Sequence, residues 1–582
     1  MYGVSCLIRA SSKSLTDPVS LCWQSVASIT NCQVKAKSAR KKPYFGKNPC
    51  TSMITYTPAS ERTLSLFKTP FEQKLDPSNR WVRIAGVMPW DEMAQVFFKH
   101  MSEGHGRASI DLRIILGALL VKHIEGISDE DTIQYIQENI YAQYFVGLPS
   151  FQTGPVFVPS LFVEVRKRLG KEGARQLNDI VLRQAKRAKA IKHRKKPSKG
   201  GGQGSVPPAG TSAEEEVSGT GAEAKVPNKG TLKVDATVAP QHVGYPTDTR
   251  LLAEARQYSE ELIDKLYKGG LWQKKPRTYR RQASKEYLAF SKKRAPKKQT
   301  VRQARGKQLR YLRRNLKTMH KMLDMLEAKG MAPSWQHRDW QRLWVIQELY
   351  RQQDIMHRDG RRRIDNRIVN IAQPYVRPIQ RGKAGKKTEF GAKLNMSETE
   401  GFVRADQISF DNFNEGGFLM SQVEAYKALF GYYPELVLAD RIYLTRKNRK
   451  ALKDKGIRNS GLPLGRRPSM TRHEKQKRKK EQNKRSEIEG KFGQAKSKYG
   501  LDDIKTKRQD TSMACIALIL MALNAIKLGR AFLCPFYGRA AALTSNLSRR
   551  LILNPAQGCN QVLSRTQNLI ILHRLAPAAL TF

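Results

Sequence analysis

The spacing of apolar residues predicts a helical region in the first third of the chain. Between residues 63 and 189, apolar side chains recur every three or four positions, which is the period of an amphipathic helix. Residues 190–230 lack this period and are rich in Gly, Pro and charged residues. Such a composition cannot bury a core, so we expect a mobile linker there. The pattern therefore predicts an all-helical domain at 63–189, joined by a linker to a second domain.

Strand patterns appear after the linker and again beyond residue 362. Residues 231–238 form a short apolar run, after which helical periodicity resumes at Thr249. The later short runs predict strands at 367–371, 376–379, 389–396 and 434–440. Helices are predicted at 420–429, 448–455 and 486–499. A basic loop at 466–484 is expected between the second and the third of them. This order predicts an α/β domain at 231–527, with a helical insertion at about 255–365 after its first strand.

The two ends of the chain have less regular patterns. The first 52 residues are rich in Ser and basic residues and nearly free of acids, which weakly resembles a transit peptide. Because a different-looking sequence begins at Met53, we interpret residues 1–62 as a poorly defined extension. The longest apolar run, 513–526, is too short to span a bilayer and contains Asn524, which predicts a buried helix and no membrane contact. Residues 528–582 are expected to form a tail of uncertain structure.

The chain carries a large positive charge. Lys and Arg number 105 against 51 Asp and Glu, giving a net charge of +54 at pH 7. Self-repulsion of this size opposes compaction unless a polyanion binds, and the spread of the charge over several long stretches favours nucleic acid over a membrane. A ribosomal or packaging protein would be basic for the same reason. The charge therefore indicates the class of partner and leaves the activity open.

The densest basic segment is residues 265–317. It holds twenty Lys and Arg and one acid, Glu286, interleaved with aromatic residues. Cations for phosphates and rings for stacking predict that this segment is the main electrostatic contact with DNA. The alternative is a solvated helix pair whose aromatic residues form a core. Both can hold, because one face of a helix can pack while the other binds DNA.

Three acids are the candidate metal ligands, since the seven cysteines lack zinc-ligand spacing. Asp235 and Asp440 each follow an apolar run, so we expect each at the end of a buried strand, where α/β sheets form ligand sites. Glu489 lies on a predicted helix. Three converging carboxylates repel one another unless cations lie between them, and Mg²⁺ prefers oxygen ligands. Alternatively, each acid is an ordinary solvated or salt-bridged carboxylate.

Three sequence blocks carry a resemblance to a known family. They are Lys233-Val-Asp-Ala-Thr-Val-Ala-Pro, Leu438-Ala-Asp-Arg-Ile-Tyr and Arg485-Ser-Glu-Ile-Glu-Gly-Lys-Phe-Gly-Gln-Ala-Lys. These blocks resemble the catalytic blocks of bacterial insertion-sequence transposases of the DDE class, in the insertion-sequence-five superfamily and its relatives. The spacing of Arg485 and Lys496 selects Glu489 over Glu487 as the third acid. A tyrosine often found three residues before the arginine is Gln482 here.

The resemblance implies a fold, a reaction and its participants. The fold would be α/β, with an RNase H-like catalytic core preceded by a helical DNA-binding domain. Asp235, Asp440 and Glu489 would be catalytic and would hold two Mg²⁺ ions, which Mn²⁺ can replace, while Arg485 and Lys496 would bind DNA phosphates. The reaction would be strand cleavage and strand transfer at terminal inverted repeats. Its partners would be the repeats, target DNA and further copies of the chain in a synaptic complex, in the cytoplasm on the nucleoid.

Two other functions stay open. One is an RNase H-like nuclease or resolvase that only hydrolyses DNA. The other is an inactive or domesticated DNA-binding protein descended from a transposase. Retention of all three acids with Arg485 and Lys496 favours catalysis, and the large basic insertion favours an enzyme that handles several DNA segments over a simple nuclease.

Other polar residues near the blocks admit simpler roles. His242 could contact DNA or metal, although a lone loop histidine more often does neither. Asp248 can cap the following helix as readily as it can touch metal. Asp406, Asp411 and Glu415 crowd one loop, and we interpret them as structural.

Overall fold

The computed structural model describes most of the chain. The described residues are 74–99, 109–188, 227–267, 272–380, 388–462, 465 and 469–531. The expected extension at 1–62, most of the expected linker at 190–230 and nearly all of the expected tail at 528–582 lie outside them. The domain boundaries expected in those stretches stay predictions.

The N-terminal part of the described chain is helical, as expected. Its helices are α1 (Arg80–Val87), α2 (Trp90–Phe98), α3 (Leu112–Glu125), α4 (Asp129–Glu138), α5 (Ile140–Val146) and α6 (Leu161–Arg187). Local sequence explains several of the ends: the Ser128 side chain accepts a hydrogen bond from the Asp131 amide at the start of α4. Gly147 takes a left-handed conformation, with φ of 90°, at the end of α5.

A mixed sheet forms the centre of the α/β part. Its strands are β1 (Thr231–Pro240), β2 (Arg377–Gln380), β3 (Thr388–Thr399), β4 (Phe402–Ser409), β5 (Leu436–Ala439) and β6 (Arg458–Asn459). β1 is central, antiparallel to β3 on one side and parallel to β5 on the other. β6 continues the sheet beyond β5, and β2 and β4 pair with successive parts of β3. The mixed α/β class is therefore confirmed.

Helices cover both faces of this sheet. They are α11 (Leu419–Phe430), α12 (Arg446–Asp454), α13 (Arg472–Tyr499) and α14 (Gln509–Ala531). α13 packs against β1 and β5 on the face that carries Lys233 and Asp235. α11 lies on the opposite face, where Gln422 contacts Asn395 of β3. The predicted helices at 420–429, 448–455 and 486–499 correspond to α11, α12 and the second half of α13.

Helix α14 joins the helical region to the sheet. It is long and apolar enough to cross a membrane by length and composition, but 89% of its most apolar 18-residue window is buried inside this protein. It packs against α3, α6 and β4. The Asn524 amide donates to Asn178 Oδ1 of α6 and to the Val403 carbonyl of β4, both at 2.7 Å. The expectation of a buried helix at 513–526 is confirmed, and one continuous apolar core spans the N-terminal helices and the sheet.

A helical bundle separates β1 from β2. It consists of α7 (Asp248–Tyr267), α8 (Arg280–Ser291), α9 (Lys298–Ala328) and α10 (His337–Arg358). Apolar residues of α7, α9 and α10, such as Leu262, Leu312 and Ile346, form a second core within this bundle. The apolar side chains of α7, α9 and α10 face this core, and the basic residues of α9 are exposed or partly exposed. Arg256 and Glu260 of α7 are buried together as an ion pair.

Two sequence-based assignments of elements were wrong. Residues 367–371 form an irregular segment instead of a strand, because their polar atoms bond to helices: Gln352 accepts from the Ile368 amide. The basic loop expected at 466–484 is helical from Arg472 onward. A capping box starts that helix, in which Thr471 accepts from the Glu474 amide and Glu474 accepts from the Thr471 amide.

Candidate active site

Asp235 lies in the middle of β1 and not at its end as expected. The strand continues to Pro240 because β3 pairs with it along that whole length, up to the Gly391 partner. The Asp235 side chain is 19% exposed, and Oδ1 accepts a hydrogen bond from the Ala236 amide at 2.8 Å. Burial raises the pKa of Asp235 to about 6, helped by the nearby carboxylates of Glu489 and Glu415 and opposed by Arg485.

Asp440 directly follows β5, as expected from its apolar run. In the parallel pair of β1 and β5, Val234 is the partner of Ala439, so Asp235 and Asp440 occupy the next positions on two neighbouring strands. Tyr443, three residues further on, is fully buried and donates to Asn395 Oδ1 at 2.7 Å. Burial, with Glu415 and Asp235 nearby, raises the pKa of the Tyr443 hydroxyl. The first two acids therefore occupy adjacent register positions on neighbouring strands at the centre of the sheet.

Arg485 links Glu489 to Asp235. Its Nη1 lies 3.6 Å from Asp235 Oδ2, and its Nη2 lies 3.2 Å from Glu489 Oε1, one turn along α13. The third acid therefore faces the first across a shared guanidinium. Arg485 was expected to contact DNA phosphates, and here it contacts two carboxylates. Lys496 lies two turns beyond Glu489 on the same face of α13.

The competing acid, Glu487, has a different partner. Lys233 Nζ lies 2.5 Å from Glu487 Oε2 and 2.6 Å from Glu398 Oε2, and the Lys233 side chain is only 5% exposed. Lys233 therefore holds Glu487 in an ion pair, two residues along β1 from Asp235. This arrangement agrees with the choice of Glu489, which the spacing of the third block suggested.

Glu415 is a residue near the site whose place the sequence did not indicate. It begins a short 3₁₀ turn (Glu415–Phe418) and pairs with Lys393 Nζ of β3 at 3.0 Å. The next residue, Gly416, faces the turn after Asp440: a Cβ atom there would lie 2.5 Å from the Ile442 carbonyl oxygen. Glu415 is thus a fourth carboxylate near Asp235. Its position depends on its ion pair with Lys393 of β3, the strand that pairs with β1.

The other polar candidates have structural partners. Asp248 begins α7 and is bound by Arg305, Arg367 and Gln353, so it joins the ends of the bundle. Among the described residues, the Asp248 carboxylate belongs to no group of acids that could hold a metal ion.

His242 lies 2.8 Å from Asp503 and is largely exposed. Asp406 bonds to Arg404 and Gln422, and Asp411 lies 3.9 Å from Arg377. The structural interpretation of these two acids agrees with these contacts.

The chemistry of the donor set suits a hard divalent cation, but the ligands are not drawn together. Asp235, Asp440 and Glu489 offer carboxylate oxygens, which Mg²⁺ and Mn²⁺ accept. Within the described residues, however, no three His, Cys, Asp or Glu side chains are grouped closely enough to hold a metal ion. Arg485 lies between two of the acids and offsets their charge. Metal binding would require this arginine to give up at least one carboxylate.

Comparison with known proteins identifies two domains. A model of a transposase domain matches residues 69–168, and a model of a transposase DDE domain matches residues 437–525. The second match includes Asp440 and Glu489 but ends short of Asp235 on its N-terminal side. An uncharacterized protein, ORF8 in the nfe locus of Rhizobium meliloti, is 27% identical over 195 residues, which are 33% of this chain and 76% of that protein. No solved structure matches the chain significantly.

Proposed function

We propose that this chain, whose resemblance to the bacterial insertion-sequence transposases is borne out by its two transposase domains, cuts and rejoins DNA at the terminal inverted repeats of a mobile element. Asp235, Asp440 and Glu489 are the catalytic acids of this proposal, and Mg²⁺ is its cofactor. The core that carries them is RNase H-like, interrupted after β1 by the bundle of α7–α10. The DNA partners are the repeat ends and a target duplex.

One geometric observation carries the proposal. Two acids lie on adjacent parallel strands at the centre of the sheet, and a helix-borne glutamate reaches the first of them through Arg485. Burial with like charges nearby raises the pKa of Asp235 to about 6, so ionising this acid costs more than it does in water, and a bound cation would offset that cost. A divalent cation bound there would polarise a phosphodiester and assist its attack by water or a 3′-hydroxyl.

The remaining residues of the site position the substrate. With a cation held by the acids, Asp235 would no longer need the Arg485 guanidinium, which would then bind a DNA phosphate through two of its N–H donors. Lys496, on the same face of α13, would hold the next phosphate. Lys233 holds Glu487 in an ion pair and so separates it from the proposed catalytic acids.

Isosteric substitutions of the acids test the proposal. Asp235→Asn, Asp440→Asn and Glu489→Gln should each abolish cleavage of a repeat-end duplex and leave binding of that duplex nearly unchanged, because metal ligands act on chemistry more than on affinity. Glu487→Gln is the matched control and should retain most of the cleavage. Cleavage that survives Glu489→Gln but not Glu487→Gln would show that the third acid is wrongly assigned.

The products of the same assay separate the related functions. A transposase joins the cleaved end to a target duplex and gives a strand-transfer product. A nuclease gives cleaved ends alone, and a domesticated binding protein gives a shifted duplex without cleavage. All three measurements use the full-length chain with Mg²⁺, and with Mn²⁺ in a parallel reaction.

A further inference from the structure

The first half of α13 is a helix without a buried side. Residues 472–487 are all exposed or partly exposed, and the first buried side chain is Ile488. From Ile488 onward the helix packs on the sheet through Phe492, Ala495 and Tyr499. A helix that is polar all round gains no stability from a core, so residues 472–484 are available to a partner. We refer to residues 472–484 as the basic half-helix.

The charge of the basic half-helix is largely uncompensated. Its basic residues are Arg472, Lys475, Lys477, Arg478, Lys479, Lys480 and Lys484. Its two acids are engaged elsewhere, since Glu474 closes the capping box and Glu481 lies 2.5 Å from Arg458 of β6. In the part of the chain that the structure describes, none of the seven basic residues forms an ion pair with an acid. Seven cations on about 20 Å of helix complement a polyphosphate.

Helix geometry aligns part of this charge with the catalytic glutamate. At 100° per residue, Lys475 and Arg478 lie within about 40° of Glu489 around the helix axis, on the face shared by Arg485 and Lys496. Lys477 and Lys480 lie on other sides, about 120° and 180° away from Glu489. The same helix therefore carries two pairs of cations with equal charge. Lys475 and Arg478 lie on the face of Glu489, and Lys477 and Lys480 lie on other faces.

We propose that the basic half-helix binds the backbone of duplex DNA beside the cleavage site, with Lys475 and Arg478 as its phosphate contacts. This inference rests on the proposed function, because the duplex is the one that the catalytic acids cut. Arg478 precedes Glu489 by eleven residues, about 16 Å of helix, which is the length of about five base pairs. The half-helix thus extends the phosphate contacts of Arg485 and Lys496 along the DNA, away from the scissile bond.

Charge-matched double variants test the direction of the contact. One double variant carries Lys475→Gln and Arg478→Gln, and the other carries Lys477→Gln and Lys480→Gln. Circular dichroism checks that both proteins keep their helix content. Binding of a random duplex is measured against salt concentration in EDTA. The first variant should make the log-log salt slope less negative by about 2, since each lost phosphate contact changes it by about 0.9. The second variant should change the slope by less than half as much.

Equal changes in the two variants, or no change in either, would overturn the inference. A photo-crosslinking p-benzoylphenylalanine placed at position 478 should attach within about five base pairs of the cut phosphate, and one at position 480 should attach much less. Crosslinks at 478 that lie many base pairs further away would also overturn it. If the two variants show the expected salt slopes but the wild-type chain cuts no DNA, only the proposed function is refuted. If the wild-type chain cuts DNA but the Lys475/Arg478 variant leaves the salt slope unaltered, only this inference is refuted.

Discussion

Asn448 fixes the turn that carries Asp440. Its side-chain amide donates to the carbonyl oxygens of Gly416 and Tyr443, both at 2.7 Å, and the residue is 7% exposed. One carbonyl belongs to the 3₁₀ turn that begins with Glu415, and the other to the segment after Asp440. The position of Asp440, the second acid of the proposed site, therefore depends on the two hydrogen bonds of the Asn448 side chain.

We predict that Asn448→Ala weakens metal binding. Loss of the amide frees the turn after Asp440, and removal of such outer-shell contacts commonly reduces metal affinity by about 10–100-fold. The measurement is titration of the DNA-free protein with Mn²⁺, in which the free ion is followed by electron paramagnetic resonance. DNA affinity should change little.

Asn524→Ala is the matched control for this prediction. Asn524 is fully buried and also donates from its amide to a backbone carbonyl, but it lies on α14, away from the acids. Both variants should lower the melting temperature, because each leaves buried acceptors unpaired at a cost of about 1–3 kcal/mol. Equal Mn²⁺ affinities in the two variants would refute the positioning role of Asn448.

The sequence could locate the acids but not their neighbours. Asp235 and Asp440 follow apolar runs, and the spacing of its block marks Glu489. These are local patterns, which can be recognised in the sequence alone. The contact of Arg485 with Glu489 is an i,i+4 pair on one helix and is equally local. The contact of Arg485 with Asp235 and the pairing of Lys393 with Glu415 join different elements and depend on the tertiary fold. Asp235 was misplaced at a strand end because nothing in the local pattern tells how far β3 extends beside β1.

The basic segment at 265–317 lies mostly in α8 and α9 of the bundle, and its contact with DNA stays a prediction. Its interleaved aromatic residues Tyr279, Tyr287, Phe290 and Tyr311 are exposed or partly exposed, so they do not form the core that the alternative interpretation expected. Leu309 and Leu312 of α9 are buried in the bundle core. The turn between the two helices exposes a run of basic residues, namely Lys292, Lys293, Arg294, Lys297 and Lys298. Beside it lies a groove of about 240 Å³, lined by Tyr287, Phe290, Lys293 and Lys307 among others. One side of the segment therefore supports the fold, and the other side leaves basic and aromatic side chains exposed or partly exposed.

We predict that this turn contributes a large part of the salt-dependent affinity for DNA. Changing Lys293, Arg294, Lys297 and Lys298 to Gln should make the log-log salt slope less negative by about 3 to 4. Random and repeat-end duplexes should lose affinity alike, because phosphate contacts position DNA without reading its sequence. An unaltered slope would assign the segment to packing between chains, and a loss confined to repeat ends would make it the sequence reader.

The boundaries of helices and strands could be predicted where a periodic pattern of apolar residues marks them. They could not be predicted where such a pattern is missing or where it misleads. The helix from Arg472 to Lys484 has no apolar stripe, so periodicity could not reveal it, although its capping box of Thr471 and Glu474 is visible in the sequence. The segment at 367–371 has strand-like alternation, but Ile368 and Ile371 are buried against the bundle without strand pairing. Tertiary contacts decided the second case, whereas the first is a local helix that begins at its own capping box.

The N-terminal helices and the sheet share one core across the expected linker. Asp179 of α6 binds Arg404 of β4 at 2.7 Å, beside the contact of Asn178 with α14. Residues 189–226, which contain nearly all of the expected linker, lie outside the described residues. A break in the chain there would leave the shared core intact.

We predict that trypsin cuts this protein first within 190–230 and that the two fragments stay together. The composition of the linker buries little, whereas α6 and α14 are held by buried apolar and amide contacts. Gel filtration of the nicked protein should give one peak, and denaturing electrophoresis of that peak should give two bands. Separate elution of the fragments, or resistance of this stretch while other sites are cut, would contradict the prediction.

The bond between Asn178 and Asn524 also has a consequence for how the protein is made. These residues are 346 positions apart, so α6 leaves the ribosome long before its partner helix exists. At roughly 5–20 residues per second, the apolar side of α6 waits tens of seconds for α14. A message cut before the codons of α14 would yield a chain that holds Asp235, Asp440 and Glu489 and lacks the helix that completes its core. The apolar side of α6 would stay uncovered in such a chain, so we expect the truncated protein to aggregate instead of folding.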